Sequence, residues 1–168
     1  MSIRSQRGFT LIEVMIAFLV MAVGLLGMAG LQNTSVKSNQ AAYLRTQATV
    51  LAVDMAERIR SNQRIASDGN YAGAGPSANS GCNTSTGCTE TQQIGNDNYE
   101  WQQNISSSLP AGTGAVCGDT VVINEDGTCG ACGTFSSAAP YYALKVEWTD
   151  AITGTTQFTC SGANVTAG

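Results

Sequence analysis

The apolar positions of this chain change their rhythm as the sequence proceeds. From Val14 to Val36 no residue carries a charge, and most are apolar. At 1.5 Å per residue such a stretch forms a helix roughly 35 Å long, enough to cross the hydrocarbon core of a bilayer. From Gln32 to Asn62 there is neither Gly nor Pro, and Leu44, Ala48, Leu51, Met55 and Ile59 recur at helical spacing on one face. Asp54 with Arg58, and Glu57 with Arg60, are spaced to pair along the helix surface. The pattern predicts one helix from Phe9 to about Arg64, roughly 84 Å long, whose outer half buries its apolar stripe against a folded domain. Gly24, Gly27 and Gly30 fall in the membrane half, where glycine is tolerated; together they would permit close helix packing or local melting.

Beyond the helix the rhythm is lost. Residues 66–89 carry only Tyr71 as a large apolar side chain and read as a loop, pinned if Cys82 and Cys88 pair locally. Trp101, Ile105 and Leu109 then stand four apart and Pro110 follows, which predicts a short amphipathic helix and its stop. Alternation takes over in the last third. "TVVIN" (120–124) leads into Asp126-Gly127, a hairpin-type turn. "YYALKVEWT" sets Tyr142, Leu144, Val146 and Trp148 on one face and Tyr141, Lys145 and Glu147 on the other, and "TQFTC" (156–160) closes the chain's strands. A small antiparallel C-terminal sheet resting on the outer half of the long helix is the simplest way to bury both, so the predicted class is α+β.

Composition narrows the chemistry. The 168 residues suffice for one modest domain and an appendage. Histidine is absent, which removes the commonest general base and the commonest metal ligand. The six cysteines, Cys82, Cys88, Cys117, Cys129, Cys132 and Cys160, all lie in the second half, among Gly, Ser, Thr and Asn. Their clustering points to structural disulfides in an oxidising compartment, without choosing among the connectivities. Charge is uneven as well. Between Phe9 and Arg64 three acids face five bases, whereas from Ile65 onward nine acids face Lys145 alone. An acidic domain on a mildly basic stem has no clustered Lys and Arg for phosphates, so nucleic acid is excluded as a partner.

Cys129 and Cys132 enclose Gly130 and Ala131 in the Cys-x-x-Cys spacing of thiol oxidoreductases, which would make the chain a membrane-tethered redox enzyme. That chemistry needs a βαβ setting and positive neighbours to hold a thiolate, and here Glu125 and Asp126 precede the motif. A zinc site fares no better without histidine. The sequence therefore predicts no enzyme, no cofactor and no metal.

The head of the chain carries the sharpest chemical statement. Arg4 and Arg7 precede the apolar run, placing its start in the cytoplasm and the cysteine-bearing part outside, in the periplasm of a two-membrane bacterium. The run is too long for a cleaved secretory signal and continues into helix without a turn, which fits a retained anchor. Glu13 stands in this anchor, and no cation lies between Arg7 and Lys37. A carboxylate at membrane depth is costly, less so near the interface, and its counter-charge must come from another molecule or from a newly made amine. A lone buried carboxylate favours a partner that brings a positive charge and penalises registers that do not.

"GFTLIEVM", residues 8–15, resembles the processing motif of type IV pilins and pseudopilins. The resemblance implies the pilin fold, with cleavage by a membrane prepilin peptidase between Gly8 and Phe9 and N-methylation of the new terminus. It also implies that Glu13 docks against the N-terminal amine of a neighbouring subunit. The block "LRTQATVLAVDMAERIRSNQ", the Trp-bearing helix and "KVEWTD" are similar to PilV-type minor pilins of type IV pili. The organisation expected is a leader at 1–8, a transmembrane and filament-core helix at 9–31, an outer amphipathic half at 32–64 and a globular domain at 65–168. The implied role is a minor pilin that helps initiate assembly near the pilus tip. Its partners would be the peptidase, other minor pilins, the major pilin, the inner membrane and a tip adhesin. A minor pseudopilin of a type II secretion system shares the same leader, glutamate and helix and is the alternative.

Overall fold

The computed structural model describes residues 8–118, 141–150 and 153–164. The apolar run and the amphipathic stretch form one uninterrupted helix, α1 (Leu11–Ser61), as expected of a segment with no proline and with glycine only in its apolar half. By contacts the chain divides into two compact units, Met1–Gln40 and Ala41–Gly168.

In the first unit α1 buries nothing. Its large apolar side chains are exposed along the whole stretch from Phe9 to Val36. The second unit contains the hydrophobic core. Leu44, Ala48, Leu51, Met55 and Ile59 are buried as their spacing predicts, and Ala52 and Ala56 widen the stripe. The long helix stops at Ser61, slightly short of the expected Arg64. Asn62 leaves the helical conformation, and its side-chain amide donates to the Arg58 carbonyl at 3.2 Å, covering an open acceptor of the last turn. A single turn, α2 (Gln63–Ala66), follows and buries Ile65 and Ala66.

The segment read as a loop contains a short 3-10 turn, Ser80–Asn83, and leads to α3 (Glu90–Ser108). This helix is longer than the Trp-centred piece expected from periodicity. Its start is set by a capping box in which the Thr89 side chain accepts from the Gln92 backbone while the Gln92 side chain accepts from the Thr89 backbone. The T-x-x-Q spacing was present in the sequence, but no apolar period follows it until Ile94. Trp101, Ile105 and Leu109 are fully or almost fully buried.

Among the described residues three antiparallel strands follow, in the order β1-β2-β3: β1 (Thr113–Gly118), β2 (Tyr141–Thr149) and β3 (Thr156–Asn164). β2 keeps the predicted alternation, with Tyr142, Leu144, Val146 and Trp148 all on the core side. β3 extends "TQFTC" to Asn164. β1 was not anticipated, because "TGAVCG" carries a single large aliphatic residue. The expected strand 120–124 and its Asp126-Gly127 turn lie outside the described residues. Gly114 shows why β1 is so poor in side chains. It pairs with Val146 on the core face, where an added Cβ would sit 2.5 Å from Trp101 and from Ile105. The Gln102 side chain takes up the Gly114 backbone like an extra strand, accepting from its N–H at 3.2 Å and donating to its carbonyl.

Two long-range hydrogen bonds fix the layers. The Trp101 indole donates to the Leu51 carbonyl at 2.8 Å, joining α3 to α1, and the Tyr142 hydroxyl donates to the Ala66 carbonyl at 2.6 Å, joining β2 to α2. The outer half of a long helix thus packs with a second helix on a three-stranded antiparallel sheet, an α+β arrangement consistent with the pilin fold.

Candidate functional site

Gly8, Phe9 and Thr10 precede α1 in non-helical conformation, and the Thr10 carbonyl receives the first helical hydrogen bonds, from Glu13 N at 3.0 Å and Val14 N at 3.4 Å. Glu13 therefore lies in the first turn, where the unpaired N–H groups and the helix dipole favour a negative charge. It stands in a shallow depression lined by Phe9, Val14, Ala17, Phe18 and Met21. Among the described residues no cation pairs with it. Phe9 is 83% exposed, and a Cβ placed on Gly8 would meet nothing within 4 Å. Among the described residues nothing packs where a Gly8 side chain would sit, so the fold they form makes no demand for glycine there.

A second polar centre, which periodicity did not reveal, lies at the far end of α1. The Arg58 guanidinium meets three carboxylates: Asp54 at 3.2 Å on its own helix, and Glu100 at 2.9 Å and Asp97 at 3.5 Å on α3. Asp97 is 4% exposed and also accepts from the Tyr71 hydroxyl at 2.8 Å and from Gln93 at 3.0 Å. Burial opposes the Arg58 charge, but the hydrogen bond to Glu100 and the charges of Asp54 and Asp97 outweigh it and raise its pKa. The hydrogen bond from Arg58 holds Glu100 below the usual carboxylate range, against a smaller opposing effect of burial. Burial and then Asp97 push the Tyr71 hydroxyl upward, and burial pushes Tyr142 up to about 12. The two tyrosine rings meet edge to face at 6.2 Å. The cluster fastens the end of α1 to α3 and to the loop at Tyr71. Its trace in the sequence is an acid, Asp97, at a core position between Ile94 and Trp101.

Cys82 and Cys88 form a local disulfide, one of the pairings the sequence left open, directly before the Thr89 cap. Cys117 and Cys160 are also disulfide-bonded. They sit on the outer strands, paired with Ala143 and Lys145 of the intervening β2, roughly 10 Å apart or more at about 4.8 Å per strand, too far to bridge each other. Cys129 and Cys132 lie outside the described residues. Among the described residues no group of His, Cys, Asp and Glu is arranged to hold a metal ion.

The described chain thus joins a helix long and apolar enough to cross a membrane, headed by a glycine-phenylalanine junction and a first-turn glutamate, to an α+β domain. Residues 3–29 match the family described as Prokaryotic N-terminal methylation motif, and residues 30–99 match Type IV pilin Tt1218. The two matches run end to end, and the chain belongs to the type IV pilin family. No match was found among curated proteins or among solved structures. Members of the family are structural subunits. Membership implies processing by a prepilin peptidase, membrane anchoring through α1 and assembly with other pilins.

Proposed function

We propose that this chain is a PilV-type minor pilin of a type IV pilus that helps initiate assembly near the tip, next to other minor pilins, the major pilin and a tip adhesin. Prepilin peptidase removes residues 1–8 and the new Phe9 terminus is N-methylated. Residues 9–31 first span the inner membrane with the N-terminus cytoplasmic and later lie in the filament core. Residues 32–64 carry the outer half of the helix, and residues 65–168 form the domain outside. The observation that supports this reading most is Glu13 itself, a carboxylate without a described counter-ion at the head of an apolar stretch of helix whose side chains are uncovered as far as Val36. An incoming amine satisfies that carboxylate only in the correct register, so the charge selects the docking geometry.

Mass spectrometry of the native protein tests the processing step and should find N-methylated phenylalanine at the terminus. Gly8→Leu should leave the precursor uncleaved in the membrane. Glu13→Gln, which keeps the side-chain length and removes the ion pair, should be cleaved normally and be depleted from sheared filaments. Wild-type entry of the Gln variant would end the docking role. Recovery of the wild-type protein with a type II secretion complex rather than with surface pili would move it to the pseudopilins.

A further inference from the structure

The sheet turns only one of its faces to the core. Tyr142, Leu144, Val146 and Trp148 point inward, so Ala143, Lys145 and Glu147 point away from the helices. The register carries this alternation to the outer strands. Cys117 stands opposite Ala143 and Cys160 opposite Lys145, which puts both cysteines on the outward face. That face is not uniformly wet. Lys145 and Glu147 pair on it at 2.6 Å and keep side-chain exposures of 22% and 36%, whereas Cys117 is 1% and Ala143 9% exposed although neither belongs to the core cluster. Gly73 meets β1 along its edge, donating to the Val116 carbonyl at 3.0 Å, and does not lie over this face. Burial at Cys117 and Ala143 therefore needs a further covering segment.

Sulfur chemistry names that segment. Cys117 and Cys160 are both disulfide-bonded, Cys82 is taken by Cys88, and the two strand cysteines are too far apart to join each other. The chain has six cysteines, so the partners left within it are Cys129 and Cys132. We infer that the Cys-x-x-Cys at 129–132 is a covalent clamp: one of its sulfurs bonds Cys117 on β1, the other bonds Cys160 on β3, and the stretch 119–140 that carries it covers the outward face at Cys117 and Ala143. The reach suffices. Three residues extend up to about 10 Å, and each disulfide adds a Cα separation of roughly 5.5 Å, more than the gap across β2 requires. The connection fits as well, since residues 119–140 leave β1 at Gly118 and return at Tyr141, beside the Cys117 and Ala143 pair. The clamp joins the two outer strands across β2, and with each sulfur tied to a different strand no dithiol is left for redox work.

The test is a peptide map of the full-length protein, alkylated and acidified at lysis so that its disulfides do not exchange. A protease that cuts before aspartate separates the cysteines into peptides 97–118, 126–149 and 150–168. Without reductant these three should run as one linked species, which falls apart into its members on reduction. Peptide 126–149 released with an internal bond, alkylated without reduction, or joined to a second copy of itself overturns the clamp, as does a link between 97–118 and 150–168 alone. The double variant Cys129→Ser with Cys132→Ser should make both Cys117 and Cys160 open to alkylation while Cys82 and Cys88 stay bonded. Continued protection of Cys117 and Cys160 in that variant also overturns it. Should the variant fail to fold, the map of the wild-type chain decides by itself.

Discussion

The two ends of α1 have the same secondary structure and opposite dependence on their surroundings. Up to Val36 the apolar side chains lie open, whereas Ala48, Met55 and Ile59 are completely buried. Hydrogen bonding along the backbone is satisfied in both halves, so helix formation does not distinguish them. What differs is where the apolar area goes: the outer half removes it from water within its own chain, and the inner half needs a lipid bilayer or other helices to do so. Substitutions in the two halves should therefore be read by different instruments.

The largest effect on the stability of the folded unit is expected from Trp101→Ala. It removes the largest fully buried side chain among the described residues and its hydrogen bond to the Leu51 carbonyl, and should cost about 4 kcal/mol in denaturant unfolding of the detergent-solubilised protein. Arg58→Ala should follow at about 3 kcal/mol, because it leaves the buried Asp97 without its cation. If Arg58→Ala were harmless, the hydrogen bonds from Tyr71 and Gln93 alone would suffice for Asp97.

The same unit should respond to pH at both extremes. Glu100 is held low when folded, so its contribution is present above the ordinary carboxylate range and is lost as pH falls through the lowered value. Tyr142 is raised from 10.0 to about 12, so the folded state keeps a proton that the unfolded chain releases. The Tyr142 contribution should be constant up to pH 10 and be lost between 10 and about 12, measured as the unfolding midpoint across the series. Thr89→Ala removes the cap of α3 and should cost about 1 kcal/mol. At the bottom of the scale, Leu26→Ala in the inner half should leave domain unfolding within about 0.5 kcal/mol of wild type while still impairing incorporation into filaments. A large loss of domain stability from Leu26→Ala would erase the distinction between the halves.

How far these features were readable from the residues varied with the kind of information each carries. The stripe from Leu44 to Ile59 and the alternation from Tyr142 to Trp148 repeat with the period of their elements, and such repetition survives any tertiary context. The head of the chain was legible for another reason, since Gly8, Phe9 and Glu13 speak through chemical type and spacing. β1 was hidden because Gly114 is chosen for the space Trp101 occupies, a requirement set by a residue on another element. The Arg58 cluster was hidden in the same way. Asp54 and Arg58 announce an ordinary surface pair, and only the folded chain brings Asp97, Glu100 and Tyr71 to it.

The bond from the Tyr142 hydroxyl to the Ala66 carbonyl spans 76 residues, and that from Trp101 to Leu51 spans 50. A ribosome delivers α1 first and β2 almost last. During synthesis the stripe from Leu44 to Ile59 therefore waits without its covering strands, and at elongation rates of roughly 5–20 residues per second the wait lasts several seconds. Closure of the core is a late, non-local event. Over that interval the nascent outer half of α1 displays apolar residues on both its sides, and a holding chaperone or the membrane surface has its opportunity to engage it before β2 arrives.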